Sequence, residues 1–168
     1  GLHAVTRVQA HYRRPRFSPD GQLIVFQRGG GGALTAETWS EDPGLYRIAA
    51  AGGEPTRLVK DGRNPHFGAG NDRIYFELTE EDKQRLVSVD LNGKDQRVHA
   101  EGELISEYQV SPAGDHLAFR ENYNVFVLPF FAGAKTVEVG AKSKQMPLVR
   151  ASGDGGQYLH WAVGGRSL

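Results

Sequence analysis

Short apolar stretches recur along this chain at a steady pace, separated by turns that carry glycine, proline, asparagine or aspartate. Residues 22–27 (QLIVFQ), 45–49 (LYRIA) and 56–59 (TRLV) form a first group. Residues 73–78 (RIYFEL), 85–90 (RLVSVD) and 96–98 (QRV) form a second, and 116–120 (HLAFR), 124–128 (NVFVL) and 136–139 (TVEV) a third. Each stretch is rich in Val, Ile, Leu, Phe or Tyr, the residues that suit a pleated and packed surface. Their alternation is incomplete, which predicts strands covered on both faces. No helix emerges from the pattern. Residues 79–85 (TEEDKQR) occupy a slot long enough only for a hairpin loop, and Asn92-Gly93 predicts a tight hairpin turn with positive φ at both residues.

A degenerate phrase precedes each group. It reads RPRFSPDG at 14–21, NPHFGAGN at 64–71, YQVSPAGD at 108–115 and YLHWAVGG at 158–165. The anchors Phe17, Phe67, Val110 and Trp161 lie 50, 43 and 51 residues apart. Counting the phrase as a strand, each unit holds four short strands, the mark of a β-propeller blade. The expected fold is therefore all-β: a partial propeller of about three four-stranded blades plus the start of a fourth. All 168 residues form one such segment, with approximate units at 12–60, 61–100, 105–140 and an incomplete 147–168. The anchor aromatic is expected to fill the space between blades. In the first unit Ser18, Pro19, Asp20 and Gly21 form the turn: Pro presets φ, Asp accepts backbone hydrogen bonds and Gly takes positive φ. Asp20 is thus read as a turn former, not a catalytic acid.

Composition supports many tight turns, with 22 glycines and 8 prolines. Lys plus Arg and Asp plus Glu are equal at 20 each, so no global field draws the chain to nucleic acid or anionic membrane. Cysteine is absent, which excludes disulfides, thiol chemistry and Cys-based zinc sites. No apolar run reaches the roughly 18 residues of a membrane span.

The phrase Phe-Ser-Pro-Asp-Gly at 17–21, followed by an apolar strand, Leu-Tyr-Arg-Ile at 45–48 and Gly-Gly-Glu-Pro at 52–55, resembles the TolB-like, WD-repeat-like propeller repeat. The likeness covers nearly the whole chain and weakens toward the fourth unit. Residues 152–161 (SGDGGQYLHW) resemble propellers found N-terminal to amidohydrolase domains. The resemblance implies a non-catalytic segment serving as accessory or interaction domain of a larger protein, a metal-dependent amidohydrolase. A TolB-like interaction scaffold with no enzyme attached, and the gating propeller of a prolyl-oligopeptidase-like serine hydrolase, stand as alternatives. It also implies a periplasmic or secreted location.

Catalytic motifs are absent: there is no His-x-His, His-Glu-x-x-His or Gly-x-Ser-x-Gly. The run of glycines at 29–32 lacks the Gly-Lys-Ser/Thr continuation of a phosphate loop and reads as part of a flexible insertion. That insertion carries Glu37, Trp39, Glu41 and Asp42, a candidate binding loop. The residue before each anchor is polar in all four units: Arg16, His66, Gln109 and His160. Equivalent positions in successive blades ring the propeller axis, so these four form a candidate channel-facing cluster able to hold an anion, a metal or an acidic tip. Hydrogen bonding between blades is the competing role. No cofactor is expected. The expected partners are the remainder of the propeller and a C-terminal catalytic domain. Fewer than four blades leaves blade faces uncovered, so the segment is expected to self-associate.

Overall fold

The structure, a computed structural model, describes residues 4–8, 10–29, 42–144, 147–153, 155 and 159–162. Thirteen strands in chain order form three sheets among them. The first sheet holds β1 (His11–Phe17), β2 (Leu23–Gly29), β3 (Gly44–Ala49) and β4 (Thr56–Val59) as a simple antiparallel meander. The second starts with β5 (Arg63–Phe67), β6 (Arg73–Glu80), β7 (Lys83–Asp90) and β8 (Arg97–Gly102). The third holds β9 (Ile105–Val110), β10 (His116–Glu121) and β11 (Asn124–Pro129). β1, β5 and β9 begin their sheets and pack side by side, so the three meanders radiate from a common inner edge.

Two short strands complete the sheets by a crossover. β12 (Val137–Glu138) pairs parallel with β8, giving the second sheet a fifth strand, while β13 (Val149–Arg150) pairs with β11 as the outer strand of the third. The stretch at 136–139 is therefore not the last strand of the third unit. The Thr136 hydroxyl donates to the Val98 carbonyl, the Val139 amide donates to the Glu101 carbonyl, and Val139 is buried in the core between the second and third sheets. Those bonds hold the segment on the second sheet.

Both faces of the sheets are packed, which explains the incomplete alternation. Val25 and Leu58 meet Phe67 and Ile74 between the first and second sheets. Tyr75 and Leu86 meet Tyr108, Val110 and Phe119 between the second and third. Trp161 and Leu159 close over Ala118 and Val125 of the third. Phe67, Val110 and Trp161 thus each pack back onto the sheet before them. Phe67, Val110 and Trp161 are buried, but Phe17 is 64% exposed, against the expectation that it fills an inter-blade space. Among the described residues no sheet precedes the first.

Turn geometry follows side-chain capping. At 90–93 only Gly93 has positive φ, so Asn92-Gly93 is not the two-residue turn its sequence predicts. The Asp90 carboxylate accepts from the Asn92 and Lys94 amides, making Leu91 and Asn92 the central pair and Gly93 the left-handed residue after it. The doubly positive turns are elsewhere, at Glu81-Asp82 and Asn122-Tyr123.

Candidate functional site

Each inner strand delivers two neighbouring side chains to its end, the anchor and the residue before it. In β1 and β5 a bulge at Arg14-Pro15 and Asn64-Pro65 re-aims this end of the strand, with Arg14 and Asn64 at φ 50° and 53°. Arg16, His66, Gln109 and His160 all line one cavity of about 210 Å³. Phe17, Phe67, Val110 and Trp161 line it as well. The cavity therefore has a polar component and an apolar wall, both supplied by the repeat.

The four polar residues differ in what they have free. His66 is buried and both ring nitrogens are engaged: Nε2 accepts from the Val110 amide at 3.0 Å, so Nδ1 carries the proton and donates to the Asn64 carbonyl at 2.9 Å. Burial lowers its pKa to about 4, with the nearby Arg16 cation adding to the effect. His66 is thus a neutral inter-blade brace with no nitrogen left for a metal. Gln109 is 8% exposed, and its Oε1 is buried without a hydrogen-bond partner among the described residues. Arg16 Nε is likewise buried, with no partner among the described residues. His160 is exposed, and beside it the Trp161 indole donates to the Gln109 carbonyl at 3.2 Å.

A second polar network joins the same inner strands. Glu77 on β6 accepts at one oxygen from the Tyr108 amide at 2.8 Å and from Asn64 Nδ2 at 3.0 Å. Asn64 also donates to the Tyr108 carbonyl. Arg63 lies 3.5 Å from the other Glu77 oxygen, and Arg14 and Arg120 lie 3.6 and 3.7 Å from Glu107. Burial raises the Glu77 pKa from 4.5 to about 7 despite these donors. Sequence reasoning missed this network. The signal was the polar residue three places before the anchor, Arg14, Asn64 and Glu107, in the same repeat register as the cluster that was recognised.

The turn residues bond as their types require. The Ser18 hydroxyl donates to Asp20 and accepts from the Leu23 amide, Asp20 accepts from the Gln22 amide, and Gly21 has φ 71°. The Ser18 bond holds the Asp20 carboxyl below its usual range. Pro19 also borders the cavity. Of the insertion, Glu37, Trp39 and Glu41 lie outside the described residues. Asp42 is held by Arg57 at 3.1 Å, and its carbonyl accepts from the Tyr46 hydroxyl. Among the described residues no three His, Asp or Glu side chains are grouped to hold a metal, and no helix is long and apolar enough to cross a membrane.

No protein-family model matches the sequence, nor does any curated protein. Solved structures do match. The β-propeller domain of the Trilobed protease from Pyrococcus furiosus aligns at 14% identity and TM-score 0.52, over 72% of this chain and 38% of that one. TolB from Acinetobacter baumannii aligns at 18% identity and TM-score 0.56, over 72% of this chain and 30% of that one. The chain spans well under half the length of either. Three radiating sheets joined at their inner strands, with these likenesses, make the fold that of a partial TolB-like β-propeller.

Proposed function

We propose that this chain is a non-catalytic propeller segment that serves as an accessory or interaction domain of a larger protein. The observation that carries this reading is the cavity lined by Arg16, His66, Gln109 and His160. A repeat has placed one polar residue per unit around one opening, and two of them hold buried polar atoms with no partner among the described residues. Buried polar groups are almost always bonded, so these two atoms support the reading that a water, an ion or a partner's polar group completes them. The larger protein we infer is a metal-dependent amidohydrolase. Support for that comes from the resemblance of residues 152–161 to propellers N-terminal to such domains. The exposed Phe17 supports a further apolar surface packing on the first sheet, from another blade or a second copy of the chain.

The test is the parent reading frame on both sides of the segment, with a hydrolase assay of the segment itself. His-x-His and later His and Asp ligands downstream support the amidohydrolase. Further blades and a stop codon leave an interaction scaffold, and Gly-x-Ser-x-Gly moves the assignment to a serine hydrolase. Turnover of amide substrates by the isolated segment would overturn the non-catalytic reading.

A further inference from the structure

We propose that the cavity between the anchors binds a monocarboxylate with an apolar body. This rests on the reading of the cavity as an interaction site and names what it takes. The sign of the charge comes first. Among the described residues that line the cavity, Arg16 is the only permanently charged one and none is a carboxylate. His66 adds no charge, since burial and its two hydrogen bonds keep it neutral. The site therefore carries about one positive charge. A single carboxylate matches it, whereas a dianion would leave an unbalanced charge in partly buried surroundings.

The hydrogen-bonding groups agree. Arg16 Nε–H is a buried donor without an acceptor among the described residues. The Gln109 Oε1 has no hydrogen-bond partner among the described residues, so no bond at that atom holds the carboxamide in its present orientation. Turned with Nε2 inward, it gives a second donor beside the first, and the two satisfy the two oxygens of a carboxylate. A metal cation is disfavoured by Arg16 and finds no free nitrogen on His66. The remaining wall is apolar: Phe67, Val110 and Trp161, with Pro112 and the exposed Phe17 at its border. At about 210 Å³ the space exceeds the roughly 150 Å³ that accommodates a benzene ring. An aryl or branched aliphatic group with one carboxylate fits it. Such a group is found in a free aromatic acid and in the C-terminal residue of a peptide.

The test is calorimetric titration of the 168-residue chain with 3-phenylpropionate and with its amide, at neutral pH and low salt. Two pentapeptides ending in phenylalanine, one a free acid and one a carboxamide, form the second arm. The expected result is a dissociation constant near about 1 mM for 3-phenylpropionate, the scale such a small ligand reaches. The amide binds at least tenfold more weakly. Arg16→Gln and Gln109→Met each weaken the acid tenfold or more, and Gln109→Met leaves the melting temperature equal or higher because it removes a buried carboxamide oxygen with no partner among the described residues. A purely structural Gln109 would show the opposite, lower stability. Tighter binding of the free-acid peptide identifies a chain terminus as the source. Tighter binding of the small acid identifies a metabolite, and either supports the carboxylate. Equal binding of acid and amide, no binding of any probe, or an unchanged constant in Arg16→Gln overturns the proposal. The reading-frame and turnover results are independent of the titration, so a null here removes the ligand and leaves the interaction reading standing or falling on its own test.

Discussion

Glu77 offers a measurement in which burial and hydrogen bonding can be weighed separately. Its carboxyl is buried, with the folded pKa raised from 4.5 to about 7. A carboxyl raised in this way favours the folded state when protonated. That contribution is fully present below pH 4.5 and is lost as pH climbs through 7. Two and a half units at about 1.4 kcal/mol each amount to roughly 3 kcal/mol. Glu77→Gln keeps an oxygen to accept from the Tyr108 amide and Asn64, and it never ionises. The stability of the wild type relative to Glu77→Gln should therefore fall by roughly 3 kcal/mol between pH 4.5 and pH 8. Other titrating groups, His66 and His99 among them, are present in both proteins and cancel in the difference. Urea denaturation at the two pH values, followed by circular dichroism, reads it directly. In melting temperature the same change is about 6–12 °C for a chain of this size. Glu77→Ala provides the contrast. It leaves two buried donors without an acceptor at both pH values and costs about 1–3 kcal/mol for each. A wild-type to Glu77→Gln difference that stays constant within about 1 kcal/mol would show that Arg63 and the two donors hold Glu77 ionised throughout, and the reasoning from burial would fail.

Other expectations follow from single contacts. His66→Phe leaves the Val110 amide and the Asn64 carbonyl unpaired and should cost about 2–4 kcal/mol in urea denaturation. His66 and His99 both have pKa values lowered to about 4, so their contribution is complete above pH 6.5 and lost as pH falls toward 4; His66→Phe should flatten that acid limb. Gly93→Ala combines φ 73° with a Cβ that would meet the Leu58 carbonyl, so it should lower stability by about 1–3 kcal/mol in thermal melts. Replacing Glu81-Asp82 by Asn-Gly relieves two non-glycine residues at φ 51° and 63° and should raise stability by about 1 kcal/mol. The Glu81 ion pair with Arg85 is too exposed to offset that gain.

Blade organisation was legible in the residues because a phrase repeated beside strand-like runs constrains spacing, turn and packing together. The cluster Arg16, His66, Gln109 and His160 was legible for the same reason, since a repeat register predicts proximity without knowing any contact. What each member does was not. His66 and Gln109 look alike as polar residues before an anchor, yet one is bonded at both nitrogens and the other has a buried carboxamide oxygen with no partner among the described residues. Only three-dimensional neighbours decide that. The crossover strand was misread because 136–139 (TVEV), like 56–59 (TRLV), is a short strand-like run that follows a glycine turn. Its destination is set by the Thr136 and Val139 bonds to the second sheet, nearly 40 residues away in sequence. Asn92-Gly93 was misread because the Asp90 carboxylate selects the turn, and Glu77 was passed over because its strand otherwise reads as apolar core.

The same crossover alters how such a chain folds. Repeat proteins commonly assemble by nearest-neighbour coupling, each unit completed before the next is added. Here the outer edge of β8 stays open until Val137 and Glu138 have been made, after most of the third sheet. During synthesis the second sheet therefore presents a free strand edge, a template for mispairing, for the interval of some 35 residues between Gly102 and Val137. Once β12 docks, the second and third sheets share a strand connection in both directions and gain or lose order as a pair. The first sheet shares no strand with them: it is joined by side-chain packing, by hydrogen bonds such as that from the Asp20 amide to Asn71, by the Arg14–Glu107 ion pair and by a single passage of chain.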